Sequence, residues 1–468
     1  MVRRVPTARA GAALLVALSL VLAAAPAAVL GVAPSDGGVL VLVPVTINAS
    51  AGDQFDPHVS GDISAYTDGV TIRYYNFSLG SDDRIPELLG ATDSLSGVSD
   101  GRIVFSRFES SGRAPILVFD VATTTTTEVD PQSFPARTSA SIGSDTVAFI
   151  DQDMAAGGEL VASVLAGATN RVTTDTRLDR RPSVAPLGDL IVYESCQSSA
   201  LNCDIRQAGW NGSTWTITNL TTNSDPESNP DTDGVVVVYD STRGGERDIY
   251  SQSVGGGTEL ILSLAGEQRN PSVNAGVVAF ESAQGDGAAD LFVYEIASSR
   301  LFRVTNTAGV NETLNDVTVL PDGRVRVVWA SGVPGSRDVF GATFELPPVE
   351  PPTYAFGGFL QPVDPLPTLN ALKAGAAVPV KFSLGGDRGL DIFATGYPKS
   401  ETIGCDSTAA VDGVEQTLSA GGSSLTYDPI ADVYTYVWKT DKAWSGTCRQ
   451  LVFGLADGTF QRANFKLR

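Results

Sequence analysis

The chain is predicted to be all-β: a seven-bladed β-propeller, with six and eight blades bounding the count, followed by an antiparallel β-sandwich. Three observations carry this prediction. The 468 residues include 48 Gly and 26 Pro but only 18% charged residues, a turn-rich composition in a chain long enough for two or three domains. Apolar residues alternate with polar ones or come in short runs, too short for helices, separated by Gly, Asn, Asp and Ser at turn spacing. One unit of four such strands recurs along the chain until a proline run, after which it vanishes.

In chain order, residues 1 to 27 stand apart. Arg3, Arg4 and Arg9 precede a charge-free run from Ala10 through Pro34, and Ala25 and Ala27 flank Pro26 in the manner of an A-x-A cleavage site. This is the pattern of a secretory signal peptide removed near Ala27. The alternative is an uncleaved anchor, since the run is long enough to span a bilayer. With the leader removed, no stable membrane span is expected.

Residues 39 to 346 hold the repeat. Its clearest copy runs from Asn270 to Thr305: a Pro-containing entry, the strand GVVAFES, a polar tip, the strand DLFVYEI, and a final strand LFRVT. Aligned on the aromatic residue that ends each second strand, the copies fall at Tyr66, Phe105, Phe149, Tyr193, Tyr239, Phe280 and Trp329, with gaps of 39, 44, 44, 46, 41 and 49 residues. Four strands at that period are the signature of a propeller. The seventh copy ends at RDVFGATFEL without a fourth strand, whereas VPVTINASAGDQFDP near the N-terminus matches the fourth-strand-plus-entry stretch LFRVTNTAGVNETLND. Val43 to Ile47 are therefore predicted to complete the last blade, closing the ring and removing the free edges of an open array.

These copies resemble the TolB-like propeller repeat. The resemblance rests on Pro271 with VVAF and DLFVY, Pro230 with DTDG and RDIY, Asp322 and Gly323 with RDVF, and Asp100 and Gly101 with RIVF. It implies a rigid disc that binds a ligand with one face or its channel. The entry-strand Trp common in that family is absent and no separate N-terminal domain is recognised, so membership of the Tol-Pal machinery is not implied.

Residues 347 to 354, with Pro347, Pro348, Pro351 and Pro352, form a stiff linker. From 355 to 468 the stretches VPVKFSL, DVYTYVWKTD, RQLVFGL and TFQRANFKL read as strands of a sandwich of about seven. In DVYTYVWK, Tyr434, Tyr436 and Trp438 share one face and Val433, Thr435 and Val437 the other. The segment resembles the PxKF domain of secreted bacterial proteins, through Pro379, Val380, Lys381 and Phe382, the GGDRGLDIF and KTDKAW runs and the final ANFKL. That resemblance implies an accessory or adhesive module in a bacterial, extracytoplasmic protein, secreted or held at the cell surface.

Four cysteines in an exported chain are expected to oxidise, and three pairings are open. Local pairing, Cys196 with Cys203 and Cys405 with Cys448, is the best reading, contributing roughly 2.5 and 4 kcal/mol on chain-entropy grounds. The formal net charge of -21 excludes nucleic acid as a partner, because phosphate binding needs a basic surface.

His58 is the only histidine. With Asp56 and Asp53 it sits at a blade entry, near the channel mouth, where it could act as a general base with Asp56 as its acidic neighbour, although a loop or channel-lining group with satisfied hydrogen bonds is the blander reading. No G-x-S-x-G elbow accompanies it, and a single histidine is too few for clustered metal ligands. The entry loops also carry Asp93, Asp179, Asp225, Glu227, Glu267 and Glu312, predicted to ring one face with negative charge able to hold Ca²⁺. NPDTDGVVVVYD imitates a calcium loop through Asn229, Asp231, Asp233, Gly234 and Asp240, but VVVVY reads as a buried strand, and turn-making is the blander reading of these residues. Trp210 and Trp215 can stack on sugars or pack a hairpin. The expectation is a non-catalytic binding protein, not an enzyme, without a cofactor apart from possible Ca²⁺, and monomeric. Its ligand-binding residues are His58, Asp53, Asp56, Arg243, Arg247 and Arg337, and its partner an extracellular protein or cell-surface glycan. The alternative is a glycan hydrolase or lyase acting at His58, Asp56 and Asp53.

Overall fold

A computed structural model of the protein describes residues 29–31, 35–40, 42–132, 136–152, 158–165, 167–197, 202–257, 259–283, 287–348, 353–405, 414–415 and 425–468. The leader of residues 1 to 27 lies outside them. The chain divides into two compact units, Met1–Leu346 and Pro347–Arg468.

In the first unit the described residues form seven antiparallel four-stranded blades. The first strands are Gln54–Ser60, Thr92–Ser99, Arg137–Gly143, Leu178–Val184, Glu227–Thr232, Gln268–Asn274 and Glu312–Val319. Each touches the next, and the seventh returns to the first, so the blades close around a central channel. The seventh blade draws its fourth strand from the other end of the chain. Val45–Asn48 pairs antiparallel with Ser336–Phe344, setting Val45 opposite Gly341 and Thr46 opposite Phe340. Ile47 then packs with Val59, Tyr66, Val328 and Val339 across the junction of last and first blades.

One feature departs from the repeat. Val29–Gly31 lies parallel to Glu259–Leu262 on the outer edge of the fifth blade, and Ser35–Val39 lies parallel to Arg300–Arg303 on the sixth. The paired chain thus begins before residue 39, where the repeat boundary had been drawn. All seven aromatic anchors are buried, and the core clusters join strands of adjacent blades. Each such side chain contributes about 1.5–3 kcal/mol by leaving water.

The first strand of every blade is broken by a bulge. In four blades a proline sits there, at Pro57, Pro182, Pro230 and Pro271, and cannot donate to the ladder. The preceding residues Asp56, Arg181, Asn229 and Asn270 adopt positive φ of 44 to 56°, which Asp and Asn tolerate best. A bulge re-aims the side chains around it, so the bulge residue and the one after the proline leave the strand's regular alternation.

The second unit is a sandwich of two sheets among the described residues. One orders its strands Phe359–Leu360, Ala377–Phe382, Val433–Lys439, Thr426–Asp428; the other Leu369–Leu372, Phe460–Leu467, Cys448–Gly454, Lys399–Ile403, Val414–Glu415. Tyr434, Tyr436 and Trp438 face the core with Phe382 and Phe453. Leu369–Leu372 runs parallel to the C-terminal strand, so the sandwich is mixed rather than purely antiparallel. Both disulfides are formed, Cys196–Cys203 and Cys405–Cys448.

Candidate functional site

The residue that resumes pairing after each bulge occupies an equivalent channel position: His58, Gly97, Ser141, Ser183, Asp231, Ser272 and Asp316. Side chains in this ring stitch neighbouring blades together. Asp316 Oδ2 accepts from the Val59 N–H at 2.9 Å, Asp231 Oδ2 from the Val273 N–H at 2.7 Å, and Ser141 Oγ from the Val184 N–H at 3.0 Å. Ser183 Oγ donates to Asp231 Oδ1 at 2.6 Å.

His58 stands where the ring closes, its Nδ1 3.4 Å from Asp316 Oδ2 and its Nε2 3.8 Å from Asp56 Oδ1. The channel surrounds the imidazole with protein and leaves 32% of it accessible. Desolvation disfavours its charge, but Asp316, Asp56 and Asp231 outweigh it and raise the pKa from 6.5 to about 9. Asp231 is pushed up to about 6 by burial and by Asp316. At neutral pH His58 is therefore an imidazolium that joins the last blade to the first. It holds no lone pair with which to act as a general base.

Asp53 does not join it. Arg337, on the tip of the seventh blade, grips both Asp53 oxygens, at 2.9 Å through Nε and 2.6 Å through Nη2, and holds that carboxyl down at about 2. The trio His58, Asp56 and Asp53 expected at one channel mouth is thus split into two unrelated pairs. Distant residues meet here because the first and seventh blades are neighbours only once the ring is closed.

A second arrangement lies on the entry face, built by blades four to six. In each, an acidic residue directly follows the aromatic anchor: Glu194, Asp240 and Glu281, all with 1% or less of their surface exposed. Each binds its own blade's bulge. Arg181 Nη1 reaches Glu194 Oε1 at 2.7 Å, Asn229 Nδ2 reaches Asp240 Oδ2 at 2.7 Å, and Asn270 Nδ2 reaches Glu281 Oε1 at 2.6 Å. The first two also accept the next blade's bulge N–H, from Asn229 at 2.9 Å and Asn270 at 3.1 Å. Buried carboxylates so partnered meet the requirement that buried charge be paired.

Of this arrangement Asn229, Asn270 and Glu281 line a concavity of about 480 Å³, together with Arg247, Glu267, Arg269, Thr313 and Arg337, within the roughly 300–1,000 Å³ of small-ligand sites. Arg247 pairs with Asp240, Arg269 Nε donates to Glu281 Oε2 at 2.8 Å, and Arg337 pairs with Asp53. Of the expected ligand residues, Arg247 and Arg337 line it. Arg243 does not: it is held by Glu259, at 2.7 Å through Nη1, and lies over the Tyr250 ring. Asn229, Arg269, Asn270, Glu281 and Thr313 were missed. The signal was present as the coupled motif of Arg or Asn before Pro and acid-Ser after the aromatic, in RRPS with YES, SNPD with YDS and RNPS with FES.

The ring of exposed negative charge is corrected. Asp93 is buried against Arg107, with Nε and Nη2 each 2.7 Å from a carboxylate oxygen. Asp179, Glu227 and Glu312 are also buried, and desolvation pushes Asp179 up and the two glutamates up to about 7. Glu227 accepts from Thr221 Oγ1 at 2.8 Å, tying one blade's last strand to the next blade's first. Nor do the oxygens of NPDTDG converge. Asp231 points into the channel, Asp233 caps the turn at the Val235 and Val236 N–H groups, and Asp240 supports the entry face.

No family model matches the chain, and no curated protein matches it, so the PxKF likeness of the second unit is without such support. Solved structures share the fold. A puromycin-hydrolyzing peptidase from Mycobacterium tuberculosis is 15% identical with a TM-score of 0.47, over 61% of this chain and 50% of that one. The propeller domain of the Trilobed protease from Pyrococcus furiosus is 13% identical with a TM-score of 0.49, over 65% and 100%. TolB from Acinetobacter baumannii is 15% identical with a TM-score of 0.39, over 62% and 79%. This chain thus spans about half the length of the puromycin-hydrolyzing peptidase. The expectation that the protein is not an enzyme is withdrawn against this comparison, since several of these similar structures are peptidases, prolyl endopeptidases and an acylaminoacyl peptidase among them. At these identities the likeness extends to the fold alone. Among the described residues no helix is long and apolar enough to cross a membrane, and the two disulfides fit an oxidising compartment.

Proposed function

We propose that the protein is an exported, extracytoplasmic binding protein whose propeller docks an extracellular protein or a cell-surface glycan on its entry face, with the second unit as an accessory, PxKF-like module. The observation that carries this reading is the polar concavity at blades five to seven. There, guanidinium and amide groups are fixed by carboxylates, of which Asp240 and Glu281 are themselves buried and Asp53 partly so, the preorganisation that lowers the entropic cost of binding. Signal cleavage near Ala27 and a monomeric state belong to the same proposal, as does the absence of a resident cofactor.

The test is capture. Immobilised protein is incubated with native culture fluid and cell-wall extract, beside the double variant Arg247→Ala/Arg269→Ala. A component retained by the parent protein and lost from the variant supports the proposal. Equal recovery on both refutes it.

A further inference from the structure

We infer that the concavity between the fifth, sixth and seventh blades is a subsite for an uncharged carbohydrate. This rests on the reading that the entry face docks a ligand and narrows it to one chemistry.

The charges of the site select against ions. Its three guanidiniums, Arg247, Arg269 and Arg337, are each matched by a carboxylate, Asp240, Glu281 and Asp53. Glu267, exposed at the rim, adds one more negative charge. An anionic ligand meets that excess within the field of a protein of net charge -21. A cationic one is opposed at contact distance by three guanidiniums whose carboxylate partners are already engaged.

The hydrogen-bonding inventory selects for hydroxyls. Arg269 uses Nε on Glu281, and Arg337 uses Nε and Nη2 on Asp53, so each keeps N–H donors with no protein acceptor among the described residues. Asn229 and Asn270 spend their amide N–H groups on Asp240 and Glu281, which leaves both Oδ1 atoms as acceptors. A sugar hydroxyl donates once and accepts twice, so adjacent hydroxyls on a pyranose ring can accept from a guanidinium and donate to an amide oxygen or to Glu267. Among the described residues every lining residue is polar or charged and none is aliphatic or aromatic, which disfavours aliphatic or aromatic ligands, whose sites are lined by apolar side chains. Asp240 and Glu281 are buried and Asp53 is partly so, so the donors are already held in place before the sugar arrives.

The experiment is isothermal titration of the full-length protein with cellotriose, maltotriose, mannotriose and xylotriose, and with trigalacturonate as the charged counterpart. At least one neutral trisaccharide is expected to bind with a dissociation constant of about 1 mM or tighter, and trigalacturonate about tenfold more weakly. Glu267→Ala, at an exposed side chain with no hydrogen bond or ion pair among the described residues, should leave the melting temperature unchanged and weaken the neutral sugar by roughly five- to tenfold, the effect of one lost hydrogen bond. Failure of every neutral trisaccharide to bind at about 10 mM, or trigalacturonate binding as tightly as they do, overturns the inference. Sugar binding that Glu267→Ala leaves untouched overturns the assignment to this site. If no sugar binds while the capture experiment still shows loss in Arg247→Ala/Arg269→Ala, the carbohydrate inference falls and the docking face stands. If both fail, both fall.

Discussion

The imidazolium at the ring closure makes stability depend on pH in a way that one substitution isolates. His58 is raised from 6.5 to about 9 in the folded protein by Asp316, Asp56 and Asp231 acting against desolvation. A group whose folded pKa lies above its unfolded value stabilises the fold fully below the unfolded pKa, and loses that contribution as pH rises through the folded one. The window therefore runs from about 7 to about 9.5, above the titration of Asp231 near 6. Linkage sets a ceiling of about 3 kcal/mol. With 32% of the side chain open to channel water, screening reduces the expected contribution to about 1–2 kcal/mol. The assay is urea denaturation of the parent protein and His58→Gln at pH 7 and pH 9.5. The glutamates that titrate near 7 are common to both proteins and cancel in the difference. The parent should be more stable by about 1–2 kcal/mol at pH 7, and the gap should largely close at pH 9.5. A gap that is constant or widens with pH would show that His58 is neutral in the channel, and the account of the ring closure would be wrong.

Other consequences follow from the packing. Ile47→Ala should cost about 2–5 kcal/mol by thermal or chemical denaturation, since Ile47 is buried where last and first blades meet, whereas Val43→Ala, at 90% exposure, should stay within about 0.5 kcal/mol. Glu281→Ala, which strands the Asn270 amide and Arg269 Nε, should cost about 1–3 kcal/mol and reduce ligand capture as well. Cys405→Ser/Cys448→Ser should remove about 4 kcal/mol from the second unit and leave the propeller's calorimetric transition where it was. Protein recovered from culture fluid should begin at Ala28 by intact mass, and a full-length mass would point to an uncleaved anchor instead.

The ring was legible because it is written in repetition. Period-two alternation and one aromatic every 39 to 49 residues reflect a constraint shared by all blades, namely that each second strand buries its end between two neighbours. The missing fourth strand was legible for the same reason, as a gap that the N-terminal stretch could fill. The outer strands Val29–Gly31 and Ser35–Val39 were not, because they are short, lack alternation and adjoin the apolar leader. The parallel strand Leu369–Leu372 pairs with residues far along the chain, Asn464 to Leu467, a register that no local pattern sets. Charge was the least legible property. Asp93 and Asp53 look alike as loop carboxylates, yet one is buried against Arg107 on the adjacent strand and the other pairs with Arg337, nearly three hundred residues away in the sequence but on the neighbouring blade of the closed ring.

The site arises where the repetition is broken. The residue after the aromatic anchor is Thr67, Ser106 and Ile150 in the first three blades and Ala330 in the last, and is acidic only at Glu194, Asp240 and Glu281. A buried carboxylate there has to be neutralised, and the bulge residues of the same blades, Arg181, Asn229 and Asn270, supply the donors. Because each carboxylate lies at a blade junction, as Glu194 and Asp240 show by reaching the next blade's bulge N–H, three consecutive copies produce a run of fixed polar groups offset to one side of the channel. A ring of seven equal blades offers seven equal grooves. Three successive blades carrying a buried acid make one sector of the disc chemically distinct, and that asymmetry, rather than the fold, is what a ligand can recognise.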